Sequence, residues 1–204
     1  MLATLAEWFP NNKRGLIGFS LGANLALKFL GERGNVGPEW VQTAVAVSPP
    51  FNMKTSAAKL SRGFSQLYTK YFLRSLRQTV LAKADLLEPL IDIPTVLAAR
   101  SFYEFDNVGT APLGGFQNAD DYYQKCSTAQ FLPHIQVPTL LLRALDDPFF
   151  VPDDVPYDTI ATNSHLTAGI TEKGGHMGFV EGHPGQFTCW SEREAARFLA
   201  TYLC

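Results

Sequence analysis

The chain has 204 residues, of which 46% are hydrophobic, so it is long and apolar enough to form one domain with a substantial core. This composition excludes a disordered polar segment. The formal net charge is −2 and no run of Lys or Arg indicates a phosphate-binding face, so we expect no nucleic-acid partner. No stretch approaches the roughly 18 uninterrupted apolar residues of a membrane-spanning helix, so we expect no transmembrane segment.

The first predicted element is a short amphipathic helix. Leu2, Leu5, Ala6 and Phe9 follow helical spacing, and Pro10 ends the pattern. The N-terminus has no basic region followed by an apolar region, so we predict no secretory signal. The cysteines are odd in number and widely spaced, which fits neither a disulfide framework nor a zinc knuckle. We therefore expect a cytoplasmic protein with free thiols at Cys126, Cys189 and Cys204.

Four short runs predict strands, of which the first is predicted to be buried. They are residues 14–20, 41–50, 137–145 and 166–175. The run from 21 to 32 predicts a helix with Gly31 as its C-cap, and 191–203 predicts a closing helix with a capping box of Ser191 and Glu194. Strands that alternate with helices predict an α/β fold, in which a parallel sheet carries helices on both faces.

Residues 51–134 interrupt this alternation. Most of the segment has helical patterning, and only 93–99 is a candidate strand. We predict a helical cap inserted into a single domain, over the edge where open α/β sheets bind ligands. Four aromatic side chains at helical spacing either line an apolar acyl pocket in this cap or simply pack it. They are Phe64, Tyr68, Tyr71 and Phe72.

The pattern G-x-S-x-G, in the stretch GFSLGAN, lies between the first strand and the first long helix. A sharp turn there would lift the Ser20 hydroxyl clear of the sheet, and the flanking Gly18 and Gly22 would let neighbouring backbone pass closely. A serine hydroxyl becomes a good nucleophile only when a base takes its proton. The pattern therefore predicts a nucleophilic serine and a histidine partner elsewhere in the chain.

His176 is the best of four candidate bases. It follows a strand end and two glycines in EKGGHMGF, where a loop can bend toward Ser20. The other three histidines, His134, His165 and His183, are interpreted as loop or surface residues, with His183 in a turn. The late histidines do not have the H-x-x-x-H spacing of a zinc site, so we expect no metal.

A histidine base needs an acid that fixes its tautomer and stabilises its cation. Asp146 and Asp147 both follow the third strand, and successive residues of extended chain point in opposite directions. We choose Asp147, which precedes Pro148 at a turn, and predict that Asp146 is a solvated strand-end residue. The order serine, acid, histidine is that of the α/β-hydrolases.

Five segments together resemble the YheT-like branch of the α/β-hydrolases, the AB hydrolase 4 family. They are GFSLGANLALKFLGE, VAVSPPFN, DDYYQKCS, PTLLLRALDDPF and EKGGHMGFV, in that family's order, and the resemblance covers essentially the whole chain. It implies that Ser20 is the nucleophile, Asp147 the acid and His176 the base. It also implies esterase or lipase chemistry on small-molecule or lipid esters without a cofactor, and for some members acyl transfer to alcohols.

The front of the chain departs from that family. The resemblance implies earlier strands, and an earlier loop that completes an oxyanion hole together with the backbone N–H of Leu21. We therefore expect only the C-terminal part of the fold, a first strand exposed at the sheet edge, self-association there and impaired catalysis. The sequence leaves open whether the chain is a fragment of a larger protein, begins at a misplaced start or is a truncated product. It also leaves three functions open: an ester hydrolase, an acyltransferase, and a non-catalytic chain that needs a partner.

Overall fold

The computed structural model describes residues 2–183 and 185–204. The chain divides into two compact units. The first, which we call the sheet unit, consists of Met1–Phe51, Ser127–Asp147 and Pro152–Cys204. The second, the helical unit, consists of Asn52–Cys126 and Pro148–Val151.

The sheet unit is built on four parallel strands in the order β1-β2-β3-β4. The strands are β1 (Gly15–Phe19), β2 (Thr43–Val47), β3 (Thr139–Ala144) and β4 (Leu166–Thr171). Each lies within one of the four predicted apolar runs, and the predicted α/β class is confirmed. Because the strands are parallel and in sequence order, their carboxyl ends, which carry the predicted site residues, lie at one edge of the sheet.

Five helices and a hairpin complete the described part of the sheet unit, with three short 3₁₀ turns. The helices are α1 (Leu2–Trp8), α2 (Leu21–Arg33), α3 (Gly37–Trp40), α11 (Tyr157–Thr162) and α12 (Trp190–Leu203). The 3₁₀ turns are Gly34–Val36, Thr128–His134 and Pro152–Asp154. The antiparallel hairpin joins β5 (Val180–His183) to β6 (Gln186–Cys189). His183 therefore ends a strand, whereas the sequence predicted a turn.

Alternate side chains of β2 enter two separate cores. Ala44 and Ala46 belong to one buried cluster with residues of α2, whereas Val45 and Val47 belong to another with residues of α12. All five residues of β2 are buried, as are all six of β3. The period-2 alternation of a strand thus places a helical layer on each face of the sheet, as predicted for a buried parallel sheet.

Both predicted caps of the sheet-unit helices are wrong. Helix α2 continues past Gly31 and ends before Gly34, whose φ of 48° suits a glycine. Gly31 is instead buried against Phe131, where a Cβ would lie 2.6 Å from the backbone oxygen. At the other helix, Cys189 is the N-cap residue of α12, and the buried Ser191 hydroxyl has no hydrogen-bond partner among the described residues.

Strand β1 is an edge strand within the described residues, because it pairs with β2 alone. Ile17 is 42% exposed and Phe19 is 39% exposed, although both are large apolar side chains. The exposed apolar surface continues into Leu21 and Leu25 at the start of α2. An edge with unpaired backbone groups and apolar side chains is a template for pairing with another chain.

The helical unit contains seven α-helices and, among its described residues, no strand. They are α4 (Met53–Leu60), α5 (Gln66–Ala82), α6 (Ala84–Leu87), α7 (Ile93–Ala98), α8 (Phe102–Phe105), α9 (Ala111–Leu113) and α10 (Ala119–Cys126). A 3₁₀ turn, Gly63–Ser65, precedes α5, and a π-helical segment, Asp106–Thr110, precedes α9. The candidate strand at 93–99 was therefore wrong: Pro94 occupies the first turn of α7, where its missing N–H costs nothing.

The four aromatic side chains predicted to share one face of the helical unit are joined by ring contacts but differ in exposure. Phe64 and Tyr71 are each 71% exposed. Tyr68 and Phe72 pack edge-on against Phe149, with ring centroids 4.9 and 5.8 Å apart. Phe64 in turn contacts Tyr68, with ring centroids 6.0 Å apart, and Tyr71 contacts Phe72 at 5.7 Å. All four rings therefore belong to one aromatic cluster, in which they pack against one another.

Candidate active site

Ser20 occupies the turn between β1 and α2. Its backbone has φ 51° and ψ −117°, a region that non-glycine residues rarely adopt and that costs about 1–3 kcal/mol. Two hydrogen bonds hold this conformation: the Ser20 N–H donates to the Val47 carbonyl at 2.9 Å, and the Asn24 N–H donates to the Ser20 carbonyl at 3.1 Å. The first ties the turn to the neighbouring strand, and the second begins the helix.

The two glycines that flank Ser20 have different spatial requirements. A Cβ on Gly18 would overlap the Gly22 carbonyl oxygen and lie 2.7 Å from the backbone nitrogen of Ala23. A Cβ on Gly22 would meet nothing within 4 Å. Close approach of the first turn of α2 to β1 therefore requires glycine at position 18, whereas position 22 has room for a side chain.

The imidazole of His176 lies between Ser20 and Asp147. Its Nε2 is 2.9 Å from the Ser20 hydroxyl oxygen, and its Nδ1 is 2.8 Å from a carboxylate oxygen of Asp147. The tautomer with hydrogen on Nδ1 donates to the carboxylate and leaves Nε2 free to accept the serine proton. This arrangement can generate a serine alkoxide equivalent and stabilise the imidazolium that results.

Asp147 is buried, and its side chain is shielded from solvent. The buried Arg143 of β3 interacts electrostatically with Asp147 and Asp154, and its guanidinium donates to the Pro49 carbonyl at 3.0 Å. Burial lowers the pKa of Arg143 to about 10, and the two carboxylates oppose that shift. At neutral pH the arginine stays charged, so a buried cation accompanies the carboxylate that contacts His176.

Two side chains that the sequence did not assign to the site anchor the loop that carries His176. Asp146 accepts hydrogen bonds from the backbone N–H groups of Gly174 at 2.9 Å and Gly175 at 2.8 Å. The Ser48 hydroxyl, buried at the end of β2, donates to the His176 carbonyl oxygen. The prediction that Asp146 is merely solvated was wrong, because its carboxylate fixes the two residues that precede the histidine.

These anchors gave little sequence signal. Asp146 was visible only as the neighbour of the predicted acid. Ser48 has φ 50°, a second positive φ at a strand end, but nothing in VSPP indicates a distant carbonyl as its partner. Both contacts depend on which loops meet at the carboxyl end of the sheet, and local patterns do not carry that information.

Leu21, predicted to provide an oxyanion N–H, is the first residue of α2, next to Ser20. The positive end of the dipole of this 13-residue helix lies there, and it favours negative charge that develops nearby. The other histidines, His134, His165 and His183, are exposed, and no hydrogen bond within residues 2–183 and 185–204 connects them to Ser20.

The described residues contain no group of three or more His, Cys, Asp or Glu side chains that could hold a metal ion. Cys126 is buried, and Cys189 and Cys204 are exposed free thiols. None of the helices in the described part of the chain has the length and apolar character needed to cross a bilayer.

Comparison with known proteins connects this geometry to a family. The chain is 33% identical over 207 residues to a putative esterase, YheT, of Escherichia coli, covering 99% of this chain and 59% of that protein. It is 32% identical over 205 residues to a monoacylglycerol lipase of Saccharomyces cerevisiae, covering 97% of this chain and 44% of that protein. The chain therefore spans about half the length of the curated relatives it matches.

The fold is shared with solved structures. The esterase Pf2001 of Pyrococcus furiosus aligns with a TM-score of 0.53 at 17% identity, covering 100% of this chain and 61% of that one. The profile of the α/β hydrolase fold matches residues 1–183. Because that match includes the sheet, Ser20, Asp147 and His176, the chain belongs to the α/β-hydrolase fold family, as its motifs predicted.

Proposed function

We propose that the chain carries the nucleophile, acid and base of a serine-dependent carboxylic ester hydrolase. The observation that supports this proposal is the position of the His176 ring, with one nitrogen 2.9 Å from the Ser20 hydroxyl and the other 2.8 Å from Asp147. A merely structural histidine has no need of a strained serine at a strand end. Family membership supports hydrolase chemistry, and the names of the esterase and lipase relatives support ester substrates.

The proposed reaction has two stages. The Ser20 hydroxyl oxygen attacks the ester carbonyl while Nε2 of His176 takes its proton, and the same imidazolium then protonates the departing alcohol. Water next attacks the acyl-enzyme, giving its proton to His176, and the acid leaves as Ser20 regains its hydrogen. The Leu21 N–H is proposed as one donor to the tetrahedral oxyanion, aided by the α2 dipole.

A lipid ester is the substrate class that we favour. The monoacylglycerol lipase relative supports an acyl glycerol or a similar ester with an apolar acyl chain. Such an ester would need no metal or cofactor, since the proposed chemistry uses proton transfer and hydrogen bonding alone. Acyl transfer to an alcohol would use the same acyl-enzyme and differ only in the acceptor of the acyl group.

Covalent labelling tests the nucleophile without requiring turnover. We expect the purified chain to react with a fluorophosphonate probe at Ser20, as located by mass spectrometry of the digest. Ser20→Ala should abolish labelling, and Asp147→Asn should slow it by up to about 10⁴-fold because the histidine tautomer is no longer fixed. Ser61→Ala is the matched control, since its hydroxyl only donates to the Ala57 carbonyl.

Two results would contradict the proposal. One is labelling that persists in Ser20→Ala. The other is a wild-type chain that folds, with a cooperative thermal transition, and yet does not react with the probe.

A second measurement separates hydrolase from acyltransferase activity. It follows the products formed from p-nitrophenyl and glycerol esters, with and without an added alcohol acceptor.

A further inference from the structure

A strongly basic stretch lies in the helical unit. Residues 52–84 contain seven Lys or Arg residues and no Asp or Glu, within a chain whose formal net charge is −2. The cations are Lys54, Lys59, Arg62, Lys70, Arg74, Arg77 and Lys83. They are spaced three to eight residues apart rather than consecutive, so they do not stand out as a charged run.

Helix α5 sorts this stretch into two faces. Thr69, Leu73 and Val80 are its buried residues. On the opposite side of the helix, exposed residues recur at positions i, i+3, i+4, i+7, i+11 and i+14. We call this set the α5 outer face; it consists of Leu67, Lys70, Tyr71, Arg74, Gln78 and Leu81.

Large apolar side chains on the α5 outer face are well exposed. Leu67 and Leu81 are each 56% exposed, and Tyr71 is 71% exposed. The 3₁₀ turn that precedes the helix adds Phe64, which contacts Tyr68 edge-on. Leaving such side chains in water forgoes the free energy of burial, so a surface that combines them marks an interaction site.

The two cations of this face are available to a partner. Lys70 and Arg74 form no ion pair within the described residues, and both are exposed. By contrast, Lys54 pairs with Asp120, and Arg77 donates to the Ala99 carbonyl. Lys70 and Arg74 therefore present unneutralised charge beside Leu67 and Tyr71.

We propose that the α5 outer face binds the surface of an anionic lipid bilayer. Leucine and tyrosine side chains partition into the boundary between headgroups and acyl chains, while lysine and arginine extend their charges to lipid phosphates. Complementary charge selects the occupant: Lys70 and Arg74 attract an anionic leaflet, and each such cation strengthens binding severalfold. This inference does not depend on the proposed ester chemistry, although it would bring the chain to lipid esters.

Vesicle binding by the purified chain tests the proposal. The probes are vesicles of phosphatidylcholine alone and of phosphatidylcholine with phosphatidylserine in equal parts, with binding measured by flotation. We expect tighter binding to the anionic vesicles, and weaker binding as NaCl is raised. Lys70→Glu/Arg74→Glu should weaken the anionic binding at least about tenfold. Leu67→Ser/Tyr71→Ser should weaken binding to both kinds of vesicle.

The matched control is Arg193→Glu/Arg197→Glu on α12. Both side chains are exposed, at 55% and 79%, so the formal charge change is the same on another helix. Unlike Lys70 and Arg74, these two arginines are ion-paired, with Glu181 and Glu194, so their charges are already neutralised. This control should bind like the wild type. Fluorophosphonate labelling without vesicles should be unchanged in all three variants, which separates failure of this proposal from failure of the proposed chemistry.

Three outcomes would overturn the inference. The first is equal binding of the wild type to neutral and anionic vesicles. The second is a loss of binding by the control as large as that of the α5 variants. The third is tighter binding of polyglutamate or single-stranded RNA, which displaces the anionic vesicles. The last outcome would assign the α5 outer face to an acidic protein or to nucleic acid.

Discussion

The Asp146 carboxylate accepts a hydrogen bond from the backbone N–H of Gly175, 2.8 Å away, immediately before His176. The same carboxylate oxygen also accepts from Gly174, so one side chain at the end of β3 holds the loop after β4. Asp147, the next residue, contacts the histidine ring itself. Adjacent acids thus have separate tasks: one positions the loop, and the other contacts the imidazole.

Asp146→Ala should slow fluorophosphonate labelling by about tenfold to a hundredfold. Loss of both hydrogen bonds frees the loop, and a displacement of about 1 Å at a reacting group costs about 10²-fold. Asp146→Asn should be milder, because an amide oxygen can accept the same two bonds without the charge. The measurement is the labelling rate of each variant as a function of pH.

The pH profile distinguishes positioning from a direct role for Asp146. Its carboxylate accepts hydrogen bonds from backbone N–H groups rather than from the imidazole, so the apparent pKa of the labelling profile should be the same in wild type and Asp146→Asn. Asp153→Ala, which removes an exposed carboxylate, is the control. Equal rates for Asp146→Ala and the wild type would contradict the positioning role.

Gly18→Ala and Gly22→Ala should have opposite effects on stability. The new methyl group at residue 18 meets the backbone of α2, so we expect a loss of about 1–3 kcal/mol in the free energy of unfolding. At residue 22 the methyl group meets nothing and the position is helical, so a gain of about 0.4–1 kcal/mol is expected. Denaturant unfolding of the two variants measures both changes, and comparable destabilisation by each would contradict the geometry.

The exposed edge of β1 should cause self-association of the chain. Ile17→Lys places a charge on that edge, and charged side chains there oppose strand pairing. We expect the variant to associate at least about tenfold more weakly in sedimentation equilibrium, which corresponds to about 1.4 kcal/mol. Leu86→Lys makes the same change at a residue of the helical unit that is 73% exposed. A wild-type chain that stays monomeric at high concentration would contradict this prediction.

Asp106 should make the stability of the chain depend on pH. Burial raises its pKa, although its carboxylate accepts hydrogen bonds from Thr110 and Tyr123, each at 2.7 Å. The folded state then binds the proton more tightly than the unfolded state does. Between the unfolded pKa, about 3.9, and the higher folded pKa, stability contributed by this group falls as pH rises.

Asp106→Asn removes that titration. We expect the variant to unfold at a higher temperature than the wild type at neutral pH. The difference should shrink as pH falls to about 3, below the unfolded pKa of about 3.9, where the wild-type carboxyl is protonated in both states. Asp85→Asn, at an exposed position of the same unit, is the control. A difference in unfolding temperature that grows on acidification would contradict a raised pKa of Asp106 in the folded state.

Local patterns determined much of the architecture. Apolar runs bounded by Gly and Pro indicated all four parallel strands. Only the two inner strands, β2 and β3, are buried throughout, because helices cover both of their faces, whereas β1 and β4 at the edges are largely exposed or half-buried. The placement of Ser20, Asp147 and His176 after three of those strands followed from chain order, since parallel strands end at one edge of a sheet. The residues 93–99 were misjudged because a short apolar run has no period that distinguishes a strand from a buried helix.

Tertiary structure alone decided the contacts between distant loops. Only the path of the chain after β3 shows that Asp146 holds Gly174 and Gly175 while Asp147 contacts the histidine ring. The bond from Ser48 to His176 spans 128 positions, and no sequence period records such a separation. Sequence periodicity reports which side chains leave water, whereas partners of buried polar groups depend on where the folded backbone brings their donors and acceptors together.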